Sequence, residues 1–320
     1  MTSAWRRLIL YVSIALIAAV AAGCSAGDAT SGNQSPPADG RIIAMTKVRN
    51  PTFPPTVPAG STLYSIKYGS RGHVVQGYLD VPPGKGPFQL FVDLHGGSVF
   101  PVRHIGQYAW TRDIAADLAL PADVVFLPNY QGYGPSPGPV VDPYDDYLDV
   151  QNGLKALGNI RGLHIARAGT FVEGTSLGGY VAMKLAANDP QVRVAALLSP
   201  YPGDALFMQW LLSQPPDALD RVDLAYEKAL RQAFGKDTRS RSYGLNSFDY
   251  SRIRIPVLIV AGTSDPIMPT ALVRDMYGDL RKYDRQVTLD VVPGGHAPFN
   301  TSVGSTLDRY FLNHGLNPYY

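Results

Sequence analysis

A serine hydroxyl attacks an acyl carbon only when a base takes its proton and a carboxylate orients that base. The sequence offers these three groups on separate segments. Gly174-Thr175-Ser176-Leu177-Gly178 has the form G-x-S-x-G and is followed by Gly179. Glycines flanking the serine allow a sharp strand-to-helix turn that presents the hydroxyl. An apolar run at 166–172 stops just before it, and an amphipathic stretch at 177–187 starts just after it. Asp265 lies in Thr263-Ser264-Asp265-Pro266, beyond the apolar run 257–261, and His296 ends Pro293-Gly294-Gly295-His296, beyond the run 287–292. Taken singly, these segments read as a glycine-rich turn, a helix cap and another turn. Together, each at the end of its own apolar run, they predict Ser176 as nucleophile, His296 as base and Asp265 as orienting acid. The rivals are Asp204 for the acid and His104 for the base.

Attack on an ester or amide builds negative charge on the carbonyl oxygen, which fixed N–H groups stabilise. One expected donor is the backbone N–H of Leu177. The other comes from His95-Gly96-Gly97-Ser98, at Gly97 or Ser98. Phe207, Trp210 and Leu211 offer an apolar surface for an acyl or aromatic group, or simply pack their own segment. Glu173, just before the turn, receives no role.

The elements that must hold these residues alternate. Strands are predicted at 63–68, 73–81, 88–94, 124–127, 166–172, 192–198, 257–261 and 287–292. Helical spacing occurs at 106–118, 144–157, 177–187, 270–283 and 303–314. Continuous Val, Ile, Leu and Phe runs suit strands buried on both faces of a parallel sheet. The expected class is therefore α/β, a mostly parallel central sheet flanked by helices. Residues 201–250 interrupt the alternation with two helical patterns and are expected to form a helical lid insertion.

Of the 320 residues, 45% are hydrophobic and 17% charged, enough apolar material for a sizeable core. Lys and Arg number 28 against 26 acidic residues, and Arg6 and Arg7 of the leader account for the excess. No basic tract suggests a nucleic-acid partner. The one cysteine, Cys24, excludes an intramolecular disulfide and a cysteine-based zinc cluster. Trp5-Arg6-Arg7, an apolar run at 8–22 and Ala21-Ala22-Gly23-Cys24 describe a secretory signal. The cysteine at the cut makes it resemble a bacterial lipoprotein signal, with Ala21 where leucine is usual. That resemblance implies a signal peptide at 1–23, lipidation of Cys24 and an extracytoplasmic protein anchored to the cell membrane. Residues 24–60, rich in Ser, Gly, Pro and Asp, read as a flexible tether reaching roughly 30 Å. The folded domain is expected at 61–320.

Within 63–312, the His-Gly-Gly loop, Asn129-Tyr130-Gln131-Gly132-Tyr133-Gly134, Ser176-Leu177-Gly178-Gly179-Tyr180 and Gly262-Thr263-Ser264-Asp265-Pro266 resemble the α/β-hydrolase superfamily. Within it they are most like the catalytic domain of the prolyl oligopeptidase family. The chain departs at Leu177, where that family often has an aromatic residue, and leaves no room for a propeller ahead of the domain. The resemblance implies an α/β-hydrolase fold and a serine hydrolase that needs neither cofactor nor metal. Its substrate is expected to be a small carboxylic ester, with short peptides as the alternative. A non-enzymatic surface lipoprotein is the third reading. Oligomeric state is not encoded in any of these features.

Overall fold

The computed structural model describes residues 36–51, 53, 57–100, 103, 124–215, 217–244, 246–283 and 286–317. Nine strands form one sheet: β1 (Ile42–Lys47), β2 (Thr62–Ser70), β3 (His73–Val81), β4 (Phe88–Leu94), β5 (Val124–Pro128), β6 (Ile165–Thr175), β7 (Val192–Leu198), β8 (Val257–Gly262) and β9 (Val287–Val292). Their order is β1-β2-β3-β5-β4-β6-β7-β8-β9. The first three pair antiparallel, and β3 meets β5 antiparallel. From β5 to β9 every pairing is parallel. The parallel strands therefore deliver their carboxyl ends, and the loops that follow, to one edge. This is the expected class, and the hydrophobic runs explain it: every residue of β5 and of β8 is buried.

Six α-helices complete the described chain: α1 (Pro143–Gly158), α2 (Leu177–Asn188), α3 (Asp204–Ser213), α4 (Arg221–Phe234), α5 (Thr270–Tyr283) and α6 (Thr301–Asn313). Asp142 caps α1, accepting from the N–H groups of Tyr144 and Asp145, and Pro143 opens the first turn. One face of the sheet packs Val92, Leu94 and Val172 against Tyr180, Val181 and Leu185 of α2, with Val150 of α1 and Met276 of α5 in the same core. The other packs Phe91 and Phe171 against Val303, Leu307 and Phe311 of α6. The Phe311 ring stands edge-on to Phe91 at 5.1 Å.

Two expectations are corrected. The composition predicts a tether over 24–60, yet Ile42–Lys47 forms strand β1 on β2, and the folded unit begins at Pro36. Gly40 donates its N–H to Gly69 O at 2.9 Å, and Asp39 accepts from the Arg71 N–H at 2.6 Å. An edge strand needs only one partner and buries little, so its short apolar run is hidden among polar and proline-rich flanks. The strand expected at 166–172 continues to Thr175, because Glu173 and Gly174 keep pairing with Asp93 and Leu94. The signal peptide, Cys24, His104 and the helix expected at 106–118 lie outside the described residues.

Candidate active site

Ser176 sits where β6 becomes α2 with no intervening residue. Its backbone adopts φ 54° and ψ −115°, a region that costs a residue bearing a Cβ about 1–3 kcal/mol. The surroundings enforce it. Ser176 donates its N–H to Leu198 O at 2.9 Å, and its carbonyl accepts from the Tyr201 and Gly179 N–H groups at 2.9 Å. The flanking glycines are steric requirements. A Cβ on Gly174 would overlap Gly178 O, and one on Gly178 would overlap Leu94 O. Gly178→Ala is therefore expected to push the turn off β4, costing about 1–3 kcal/mol in stability and most of the activity. Thermal melting and turnover measured together check this.

Asp265 follows β8, and its side chain is shielded from solvent. Its Oδ1 accepts from the N–H groups of Ile267 and Met268, both at 2.9 Å. The two expected partners meet: His296 Nδ1 lies 2.9 Å from Asp265 Oδ2 and 3.1 Å from Oδ1. Burial pushes the Asp265 carboxyl up, but the His296 hydrogen bond and charge, with help from the Met268 N–H and the Ser199 hydroxyl, hold it below its ordinary 3.8. It is a carboxylate at neutral pH and can only accept, so the proton between them sits on His296 Nδ1. That tautomer leaves Nε2 as acceptor, which a general base requires.

Hydrogen bonds between neighbouring loops stitch the edge together. Ser176 N–H reaches Leu198 O, Ser199 N–H reaches Val260 O at 2.8 Å, and Ser264 N–H reaches Gly294 O at 2.9 Å. Ala297 N–H then returns to Ser199 Oγ at 3.1 Å. Ser176, Ser199, Asp265 and His296 thus follow four consecutive parallel strands. The rival acid is engaged elsewhere. Asp204 accepts from the Tyr201 hydroxyl and from Asn246 Nδ2 at 2.7 Å, and burial lifts its carboxyl to about 6 despite both bonds.

The His95–Ser98 loop comes nearest to Ser176 at Gly96, the residue before Gly97. A Cβ on Gly96 would lie 3.4 Å from Ser176 Cβ, whereas one on Gly97 would overlap the Tyr133 ring. The Ser98 N–H donates to the Tyr133 hydroxyl at 2.7 Å, so Ser98 is corrected as an oxyanion donor. Leu177 begins α2, where an N–H has no acceptor within the helix. His95 is support rather than chemistry: its ring stacks on Tyr130 at 3.9 Å and its Nδ1 donates to Gly96 O at 2.7 Å. Burial drives its pKa down to about 3, so it stays neutral. Tyr130 donates its hydroxyl to His95 O at 3.0 Å. The supporting contacts of Tyr130, Tyr133 and Ser199 have no counterpart among the motifs of the sequence. The tyrosines do stand in a glycine-rich segment after a strand, the same signal that marked the other loops.

The insertion between β7 and β8 is helical, as expected, with α3, α4 and two short 3-10 turns. Phe207 and Leu211 are corrected as substrate contacts: both are fully buried. Phe207 lies edge-on to Tyr201 and Tyr226 at 5.6 and 5.5 Å, because its stripe on α3 faces the core and α4. Trp210, half-buried, stacks on Phe207 at 6.1 Å. The insertion meets the His95–Ser98 segment through Phe100, whose ring lies 4.8 Å from Tyr226. Glu173 belongs to the other face of the sheet. Burial, with the charges of Asp93 and Asp308, holds its carboxyl well above the ordinary range.

Residues 90–303 match the model of the Alpha/beta hydrolase family. Similar solved structures include an acetyl xylan esterase from Paenibacillus sp. R4, at TM-score 0.60 and 16% identity, over 84% of this chain and 87% of that one. An esterase from Pyrococcus furiosus is similar at TM-score 0.55 and 17% identity, over 79% and 92%. The acylaminoacyl peptidase of Pyrococcus horikoshii is similar at TM-score 0.60 and 15% identity, over 80% of this chain and 42% of that one. A search of curated proteins finds no match.

Proposed function

Because the chain belongs to the α/β-hydrolase family, with its model matched over 90–303, we propose that it is a serine hydrolase cleaving carboxylic esters through an acyl-serine intermediate. The observation that carries this reading is the His296–Asp265 pair, fixed at the same sheet edge as the strained Ser176. In the first half-reaction Ser176 Oγ bonds to the acyl carbon, and His296 Nε2 takes its proton. The oxyanion accepts from the N–H groups of Leu177 and Gly97. As the carbonyl re-forms, the C–O bond to the alcohol breaks and His296 returns the proton to it. Water then repeats the sequence and releases the acid. Asp265 orients the imidazole and stabilises its protonated form.

A small or apolar acyl group suits the rim. Two of the exposed large apolar side chains, Ile267 and Phe299, lie two residues beyond Asp265 and three beyond His296. Esters are favoured over peptides by the similar structures. Two similar structures are esterases that it nearly spans, whereas it spans under half of the peptidase. The lipoprotein-like start at 5–24 supports an extracytoplasmic, membrane-anchored setting.

Intact protein is expected to react with a fluorophosphonate at Ser176 and to turn over p-nitrophenyl acetate far faster than a dipeptide naphthylamide. No labelling beside a reactive control hydrolase defeats the serine mechanism. Amide turnover equal to ester turnover reverses the choice of substrate.

A further inference from the structure

Ser199 is the first residue after β7, fully buried, and holds φ 42°. A positive φ of this size favours glycine, since a Cβ is strained there. A serine kept under that strain points to a use for its hydroxyl. The hydroxyl has two neighbours. Its oxygen accepts the Ala297 N–H at 3.1 Å, and it stands beside the Asp265 carboxylate, whose ionised form it helps to favour. A carboxylate only accepts, so the hydroxyl hydrogen is the side that favours it. Ala297 directly follows His296 and is itself held at φ 47°. The backbone of Ser199 is fixed by its N–H on Val260 O at 2.8 Å, while its neighbour Leu198 accepts the N–H of Ser176. One residue therefore joins the loop of the base, through its side chain, to the strand end that anchors Ser176, through its backbone.

We propose that Ser199 is a positioning residue that sets the distance and orientation of the Asp265–His296 pair relative to Ser176. The proposal rests on the serine-hydrolase reading above. Without the hydroxyl, Asp265 loses that support and the His296 loop loses its tie to β7. The imidazole then samples orientations from which Nε2 cannot take the Ser176 proton. Binding of the ester, which uses the rim and the Leu177 turn, is untouched.

Ser199→Gly and Ser199→Ala separate the hydroxyl from the backbone. Glycine removes the hydroxyl and relieves the strain, whereas alanine removes the hydroxyl and keeps it. Both variants are expected to lose about 10- to 100-fold in kcat on p-nitrophenyl acetate, the range for one hydrogen bond to a charged group. KM should stay within about twofold, the mark of a loss confined to the chemical step. The Gly variant should melt no lower than the Ala variant. The downfield proton resonance of His296 Nδ1–H should move or broaden in both, and this readout needs no turnover. Unchanged kcat and an unmoved resonance in the Gly variant would overturn the proposal, leaving Ser199 a backbone feature. If glycine prevents folding, the alanine variant decides by the same two readouts. Wild type and Ser176→Ala run alongside with a fluorophosphonate. A wild type that resists labelling rejects the hydrolase reading itself, a result distinct from a labelled wild type with an indifferent Ser199.

Discussion

Replacing Ser176 with alanine is expected to lower kcat for ester hydrolysis by about 10⁴-fold or more and to abolish fluorophosphonate labelling. The loss should be of chemistry alone, because the elbow is held by backbone bonds the substitution leaves intact: Ser176 N–H to Leu198 O and Tyr201 N–H to Ser176 O. A second variant turns the strain into a measurement. Ser176→Gly removes the same hydroxyl but tolerates φ 54° and ψ −115° without a Cβ clash. It should be more stable than the alanine variant by about 1 kcal/mol, after the greater unfolded-chain entropy of glycine offsets part of the relief. For a domain of this size that is about 2 °C in Tm. Inactive variants that melt in this order identify Ser176 as a position where stability is given up for geometry. An alanine variant with substantial residual turnover would point to a different nucleophile.

How much of this site the sequence discloses follows from what fixes each residue. Ser176, Asp265 and His296 are legible because each follows a dense apolar run, and parallel strands bring all such run ends to one edge. The same periodicity recovers eight of the nine strands. It misses β1, whose edge position asks for little apolar surface. Ser199 is hidden for another reason. It also follows an apolar run, yet its role depends on an orientation set by a positive φ and a neighbour 98 residues away, Ala297. Ser98 and Gly97 are separated only by the Tyr133 hydroxyl, which occupies the Ser98 N–H. Phe207 and Leu211 show the limit of composition. An aromatic-rich helix in an insertion offers apolar surface either to a ligand or to its own core, and the packing of α3 on α4 chose the core.

Asp265→Asn tests the acid most sharply, because it preserves shape and reverses one hydrogen bond. In the wild type the carboxylate accepts from Ile267 N–H, Met268 N–H and His296 Nδ1–H. An asparagine oxygen can still serve the two backbone donors, but its NH₂ then faces His296 Nδ1. The imidazole responds by moving its proton to Nε2, and that tautomer cannot receive the serine proton. The expected result is a fall of about 10⁴-fold in kcat with a native fold. A fall of less than tenfold would return Asp204 to consideration, although the Tyr201 hydroxyl and Asn246 already occupy it. Acid melts supply an independent check. The Asp265 carboxyl lies below its ordinary 3.8 in the folded protein, so ionisation there favours folding. That contribution is complete above the unfolded value and is lost as pH falls through the folded one. The Tm difference between wild type and Asp265→Asn should therefore be widest near neutrality and close as pH drops below 3.8. A difference that stays constant across that interval would mean that the charge of Asp265 does nothing to hold His296 in place.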